Sequence, residues 1–205
     1  MPESVDFVLR LLLFAGLHSL FAAPGIKAYL QQLSGSSLPW YRLIYNLSSL
    51  ILFVWVMLAW QSTRVIYLAP GVWSLVMYGL QLLLLAGIFL CLRQTGLGGF
   101  LGINASEQAE EQLNTSGCYA IVRHPLYLLS LLFFVLNPVM TTRWLTLTAI
   151  GATYLVIGAI VEERRMLQRF GTAYSRYQQR VPFLIPRLGF SSIRHRKNHR
   201  QDTPD

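Results

Sequence analysis

The chain has 205 residues, 54% of them apolar and only 13% charged, with a mean hydropathy of +0.44. A charged share about half that of ordinary soluble domains excludes that the chain as a whole is a disordered tail or a water-soluble enzyme. Residues 162–205 hold ten Lys/Arg against four Asp/Glu, whereas residues 1–161 hold seven against five, and such a basic end on an apolar body points to lipid before nucleic acid.

A helix needs about 18–20 apolar residues to cross about 30 Å of hydrocarbon, and the sequence reads as an all-α integral membrane protein of about five transmembrane helices. The first run, Val5–Ala23, carries Asp6 and Arg10 one turn apart near its outer end and His18 deeper in. Its acidic start and its continuation into a Pro24-Gly25 turn predict a retained span, not a cleaved signal peptide. His18, a lone imidazole, reads as a hydrogen-bonded packing residue sooner than as a metal or haem ligand. The second run is Leu43–Trp60 and the third Val72–Leu92, interrupted only by Gln81.

After these comes a connection containing Gly96-Leu97-Gly98-Gly99, whose glycines mimic a dinucleotide-binding loop without the strand that such a loop requires. A flexible segment that closes over a pocket is the expectation there. The fourth run, Leu126–Met140, ends in Asn137-Pro138, and only Thr141 to Arg143 separate it from the fifth, Trp144–Val161. So short a link predicts an antiparallel hairpin through the membrane. With the C-terminus cytoplasmic, that side receives Lys27, Arg42, Arg93, Arg123 and the basic tail, and the far side only Arg64 and Arg143, so the N-terminus is expected outside. Cys91 and Cys118 are too few for a disulfide framework or a Cys-rich metal site, and no metal is expected.

The hairpin carries the chemistry. His124 lies 18 residues before Thr142 and Glu162 lies 20 after it, so helical rise puts both at nearly one depth. Arg123, His124, Glu162 and Glu163 therefore meet at the cytoplasmic mouth of one helix pair, where they either anchor the hairpin as a salt bridge or bind a ligand. Pro125 suits the first turn of a helix and leaves Arg123 and His124 just outside it, beside free N–H groups that attract carboxylate or phosphate. Beyond Glu163, Met166, Phe170, Tyr174 and Tyr177 recur at helical spacing, so the last span is expected to continue into the cytoplasm as an amphipathic helix. Its other face is basic and suits anionic lipid. Two prolines then bracket Val181-Pro182-Phe183-Leu184-Ile185-Pro186 and predict an extended strip, either a packed cap or a cover for a flat aromatic ligand.

The pairing of Gly117, Tyr119, Arg123, His124, Pro125 and Tyr127 with a later Glu162, Glu163, Phe170, Gly171, Tyr174, Tyr177, Val181, Pro182, Ile185 and Pro186 resembles the isoprenylcysteine carboxyl methyltransferase superfamily. Those membrane-embedded methyltransferases use S-adenosylmethionine. Leu17-His18-Ser19 with Lys27, and Gly99 to Gly102, resemble the bacterial thiol methyltransferase and NnrU-like branch. Leu129 stands where the superfamily commonly has glycine, which bears on substrate shape, and Met166 replaces a common leucine.

The resemblance implies S-adenosylmethionine bound between the hairpin and the folded-back tail. It implies contacts from Tyr119, His124, Pro125, Tyr127, Glu162, Glu163, Tyr174, Tyr177, Val181, Pro182, Leu184 and Ile185, with Arg123 and Glu163 as the catalytic pair. The expected organisation is residues 1–92 as a three-helix membrane region, 93–122 as a cytoplasmic connection, 123–186 as hairpin and cofactor-binding region, and 187–205 as a disordered basic tail that includes His195 and His199. A lipophilic or small acceptor (a thiol, a carboxylate or a lipid amine) would come from the bilayer of a bacterial inner membrane. The competing expectation is a non-catalytic NnrU-like accessory protein of respiratory or nitrogen-oxide metabolism. A transporter is disfavoured, since no inverted repeat is visible.

Overall fold

The computed structural model describes residues 3–35, 40–59, 63–96 and 113–187. The Gly-rich stretch from Leu97, the Gly99–Gly102 motif and the basic tail with His195 and His199 lie outside the described residues. The described chain is mostly helical. Three helices are long and apolar enough to cross a membrane: α1 (Glu3–Ala22), α4 (Val72–Thr95) and α6 (Thr142–Phe170). Two apolar helices are shorter, α3 (Tyr41–Met57) and α5 (Pro125–Val135). The remaining helices are α2 (Pro24–Ser34) and α7 (Thr172–Arg180), with a single 3-10 turn at Gly117–Ala120.

α5 stops early for a local reason. Its cap is followed by Asn137-Pro138, and proline offers no N–H to prolong a helix. The chain there becomes a short strand, β2 (Val139–Thr141), paired antiparallel with β1 (Val65–Leu68). This two-stranded ribbon amends the all-helical expectation. Val65-Ile66-Tyr67-Leu68 is β-branched and aromatic, the composition that fits a pleated surface. α6 starts directly from the ribbon, with the Thr141 hydroxyl accepting from the Trp144 N–H at 3.2 Å as its N-cap. Pro24-Gly25, expected as a turn, opens α2 instead, because proline at a first helical turn forfeits no hydrogen bond.

Phe7, Leu11, Val56 and Leu147 form one buried cluster that joins α1, α3 and α6. α4 is apolar on all sides and leaves Leu75, Leu82 and Leu83 exposed, as a helix does when lipid is its outer solvent. A second cluster of Tyr174, Tyr177 and Val181 packs the end of the described chain back onto the mouth of α5 and α6. The fold-back has a defined hinge. Where the sequence predicted one continuous amphipathic helix, α6 runs to Phe170 and breaks at Gly171, whose φ of 51° and ψ of −122° suit only glycine. A Cys91–Cys118 disulfide, Cα to Cα 5.8 Å, fastens the end of α4 to the 3-10 turn.

Candidate active site

His124 is the N-cap of α5 and Pro125 its first residue, so two side chains leave the chain just before the helix begins. The Arg123 Nε donates to Glu163 Oε1 at 2.5 Å, and its Nη1 donates to the carbonyls of Gln178 at 3.0 Å and Val181 at 2.6 Å. The backbone follows: Arg123 N–H donates to the Pro182 carbonyl at 2.9 Å and His124 N–H to that of Phe183 at 3.3 Å. Thus one arginine and two amides bind the extended strip to the mouth of α5 and α6. Its guanidinium also lies 5.6 Å from the Phe183 ring.

Glu163 is the hub of this fastening. Besides Arg123, it accepts from Gln178 Nε2 at 2.9 Å and from the Tyr174 hydroxyl at 3.4 Å. The Tyr177 hydroxyl donates to the Tyr119 carbonyl at 2.6 Å, and this closes the 3-10 turn onto α7. Burial raises the Tyr174 and Tyr119 phenols and pushes Tyr177 up to about 12, so all three remain donors. At Gly117 (φ 58°) a Cβ would collide with the side chain of Gln94, whose Oε1 accepts the Cys118 N–H at 3.1 Å.

Glu162 lies differently. The Tyr127 hydroxyl donates to its Oε2 at 2.9 Å, yet the side chain stays 44% exposed, against 15% for Glu163. Between the two carboxylates lies His124, nearly buried, with Nε2 3.4 Å from Glu163 Oε1 and Nδ1 3.7 Å from Glu162 Oε2. Burial lowers its pKa below the usual imidazole value and outweighs the opposing pull of both carboxylates, so near pH 7 this is a neutral ring and not half of an ion pair. The His124 ring stacks on Tyr127 with centroids 5.4 Å apart and planes 2° from parallel, while Phe183 meets it edge-on at 5.0 Å. The result is a three-ring aromatic corner beside a carboxylate that remains open to solvent.

Of the residues expected in the site, the structure brings together Tyr119, Arg123, His124, Pro125, Tyr127, Glu162, Glu163, Tyr174, Tyr177, Val181 and Pro182. Leu184 is half-buried further along the strip, and Ile185 is 78% exposed and stands outside this packing. Gln178 was not singled out by sequence reasoning, and Phe183 only as part of the extended strip. Gln178 follows Tyr174 by one helical turn, a spacing that would have placed both on the Glu163 side. No group of His, Cys, Asp and Glu among the described residues is arranged to hold a metal.

The chain belongs to the NnrU protein family, whose model matches residues 6–136. It is also 31% identical to methanethiol S-methyltransferase 2 of Bradyrhizobium diazoefficiens over 195 residues, covering 88% of this chain and 72% of that one. A methanethiol S-methyltransferase of Pseudomonas deceptionensis is 30% identical, with 88% and 72% covered, and one of Pseudomonas sp. is 29% identical, with 89% and 73% covered. No solved structure matches. These relatives set the chain within the NnrU-like branch of membrane methyltransferases.

Proposed function

We propose that this chain is an S-adenosylmethionine-dependent thiol S-methyltransferase of a bacterial inner membrane, crossing it with α1, α3, α4 and the α5–α6 hairpin. Its N-terminus lies outside, and the mouth of α5 and α6 opens to the cytoplasm. The observation that carries the reading is the convergence of the half-exposed Glu162 carboxylate with the His124, Tyr127 and Phe183 rings. This set fits a nucleoside that carries an ammonium group: an acceptor for ammonium or ribose hydroxyl groups, and aromatic surface for a flat base. S-adenosylmethionine, when bound, supplies a methyl group on a sulfonium whose charge disappears as the methyl leaves. The protein then has chiefly to hold donor and acceptor in line. Glu162 would grip the donor, and the corner of His124, Tyr127 and Phe183 would orient it and keep water away. Arg123 and Glu163, given a catalytic part by the resemblance, act in this reading as positioning residues that hold the strip in place.

Isothermal titration of S-adenosylmethionine into the purified protein tests this. Saturable binding is expected, weakened at least tenfold in Glu162→Gln and in His124→Ala. A folded wild-type protein that binds no S-adenosylmethionine would overturn the reading and leave the non-catalytic accessory role.

A further inference from the structure

A cavity lies away from the mouth, between α1, α2 and α3, with a volume of about 670 Å³. Leu30, Leu33, Ile44 and Leu52 line it, and among the described residues no Lys, Arg, Asp or Glu does. Leu33 and Ile44 are 72% and 62% exposed, so the cavity is open at the surface of these helices. One wall is polar. His18 Nδ1 lies 3.0 Å from Ser49 Oγ, and the Tyr45 hydroxyl lies 2.8 Å from His18 Nε2. Behind His18 stands Tyr154 of α6, its ring centroid 6.2 Å from the imidazole and its hydroxyl 3.0 Å from Ser19 Oγ. Glu162 is on that same helix, eight residues or about 12 Å further along. Tyr154 thus links the polar wall of the chamber to the helix that carries the proposed donor site.

We infer that this chamber holds the methyl acceptor, and that the acceptor is a neutral thiol with a long apolar chain. The inference rests on the function proposed above. Sites of roughly 300–1,000 Å³ hold ligands of drug size, and methanethiol, with two heavy atoms, would rattle in such a space. The described lining offers no counter-charge to an ionised ligand and so favours a neutral one. The wall of His18, Tyr45 and Ser49 offers hydrogen bonds to one weakly polar end and turns that end toward α6. His18, read from sequence as a packing residue, becomes the positioning group of an acceptor site.

The test uses the full chain in nanodiscs with decanethiol carrying a photoreactive diazirine at its chain end, the labelled residues being mapped by mass spectrometry. Saturable labelling of Leu33, Ile44 and Leu52 is expected, competed by decanethiol and not by methanethiol. Ser48→Trp, which fills the chamber, should lower the labelling at least tenfold while S-adenosylmethionine binding reports an intact fold. Label spread evenly over the lipid-facing side of α4, or chamber labelling competed equally by a phospholipid, would overturn the inference alone. A wild-type protein that binds no S-adenosylmethionine would overturn the proposed function, and the acceptor role with it.

Discussion

Arg123 keeps its guanidinium inside the protein, on one carboxylate and two carbonyls, with side-chain exposure of 11% against 15% for Glu163. Removing one partner of such a pair leaves a largely buried charge behind, a loss of about 3 kcal/mol. Arg123→Met and Glu163→Gln should each lower thermal stability by that order, and the double variant by clearly less than the sum of the two. Strict additivity in detergent melts would show that the pair is not coupled. His124 sets a pH dependence. An unfolded imidazole titrates near 6.5, while burial holds the folded ring lower. Below about pH 6.5 the unfolded chain takes up a proton that the folded chain refuses, so this contribution is complete above that pH and declines as pH falls through it. Melting temperatures at pH 7.5 and 5.5 should differ less in His124→Gln than in the wild type; an equal or larger difference would refute the assignment.

Between α6 and α7 the decisive feature is Gly171, whose backbone lies where L side chains are strained by about 1–3 kcal/mol. Gly171→Ala should lower stability by that order and weaken cofactor binding, because α7 and the strip pivot on this residue. A variant with unaltered melting and binding would contradict the hinge. The disulfide makes a second prediction at this scale. It closes a loop of 27 residues, for which chain entropy gives about 3.5 kcal/mol, so Cys91→Ser should melt lower than the wild type under non-reducing conditions and equal to it once reduced. A mouth that faces the cytosol would expose this bridge to a reducing medium; alkylation in intact cells compared with permeabilised ones reports both the thiols and the side they face.

For the whole molecule, the depth arithmetic on the last two apolar runs was enough to bring His124 and Glu162 together, because helical rise is fixed and the link between the runs is short. The same reasoning missed the ribbon of β1 and β2, since a short apolar run reads alike as helix or strand. It also missed what Arg123 binds: two of its three acceptors are backbone carbonyls, of Gln178 and Val181, and side-chain patterns do not announce carbonyls. The hinge at Gly171 was visible as a motif glycine, but only the backbone shows that it ends a helix. His18 drew attention as a lone imidazole, and the cavity beside it depends on α2, which the sequence had suggested only as a turn. The proposed donor site joins the helix mouth to the folded-back strip. Ultraviolet crosslinking of radiolabelled S-adenosylmethionine to the purified protein, with the labelled peptides sequenced, tests this most directly. Saturable label in peptides spanning residues 123–127 and 181–187, lost in Glu162→Gln, is the predicted result; saturable label confined to α1, α2 or α3, or none at all, would contradict it.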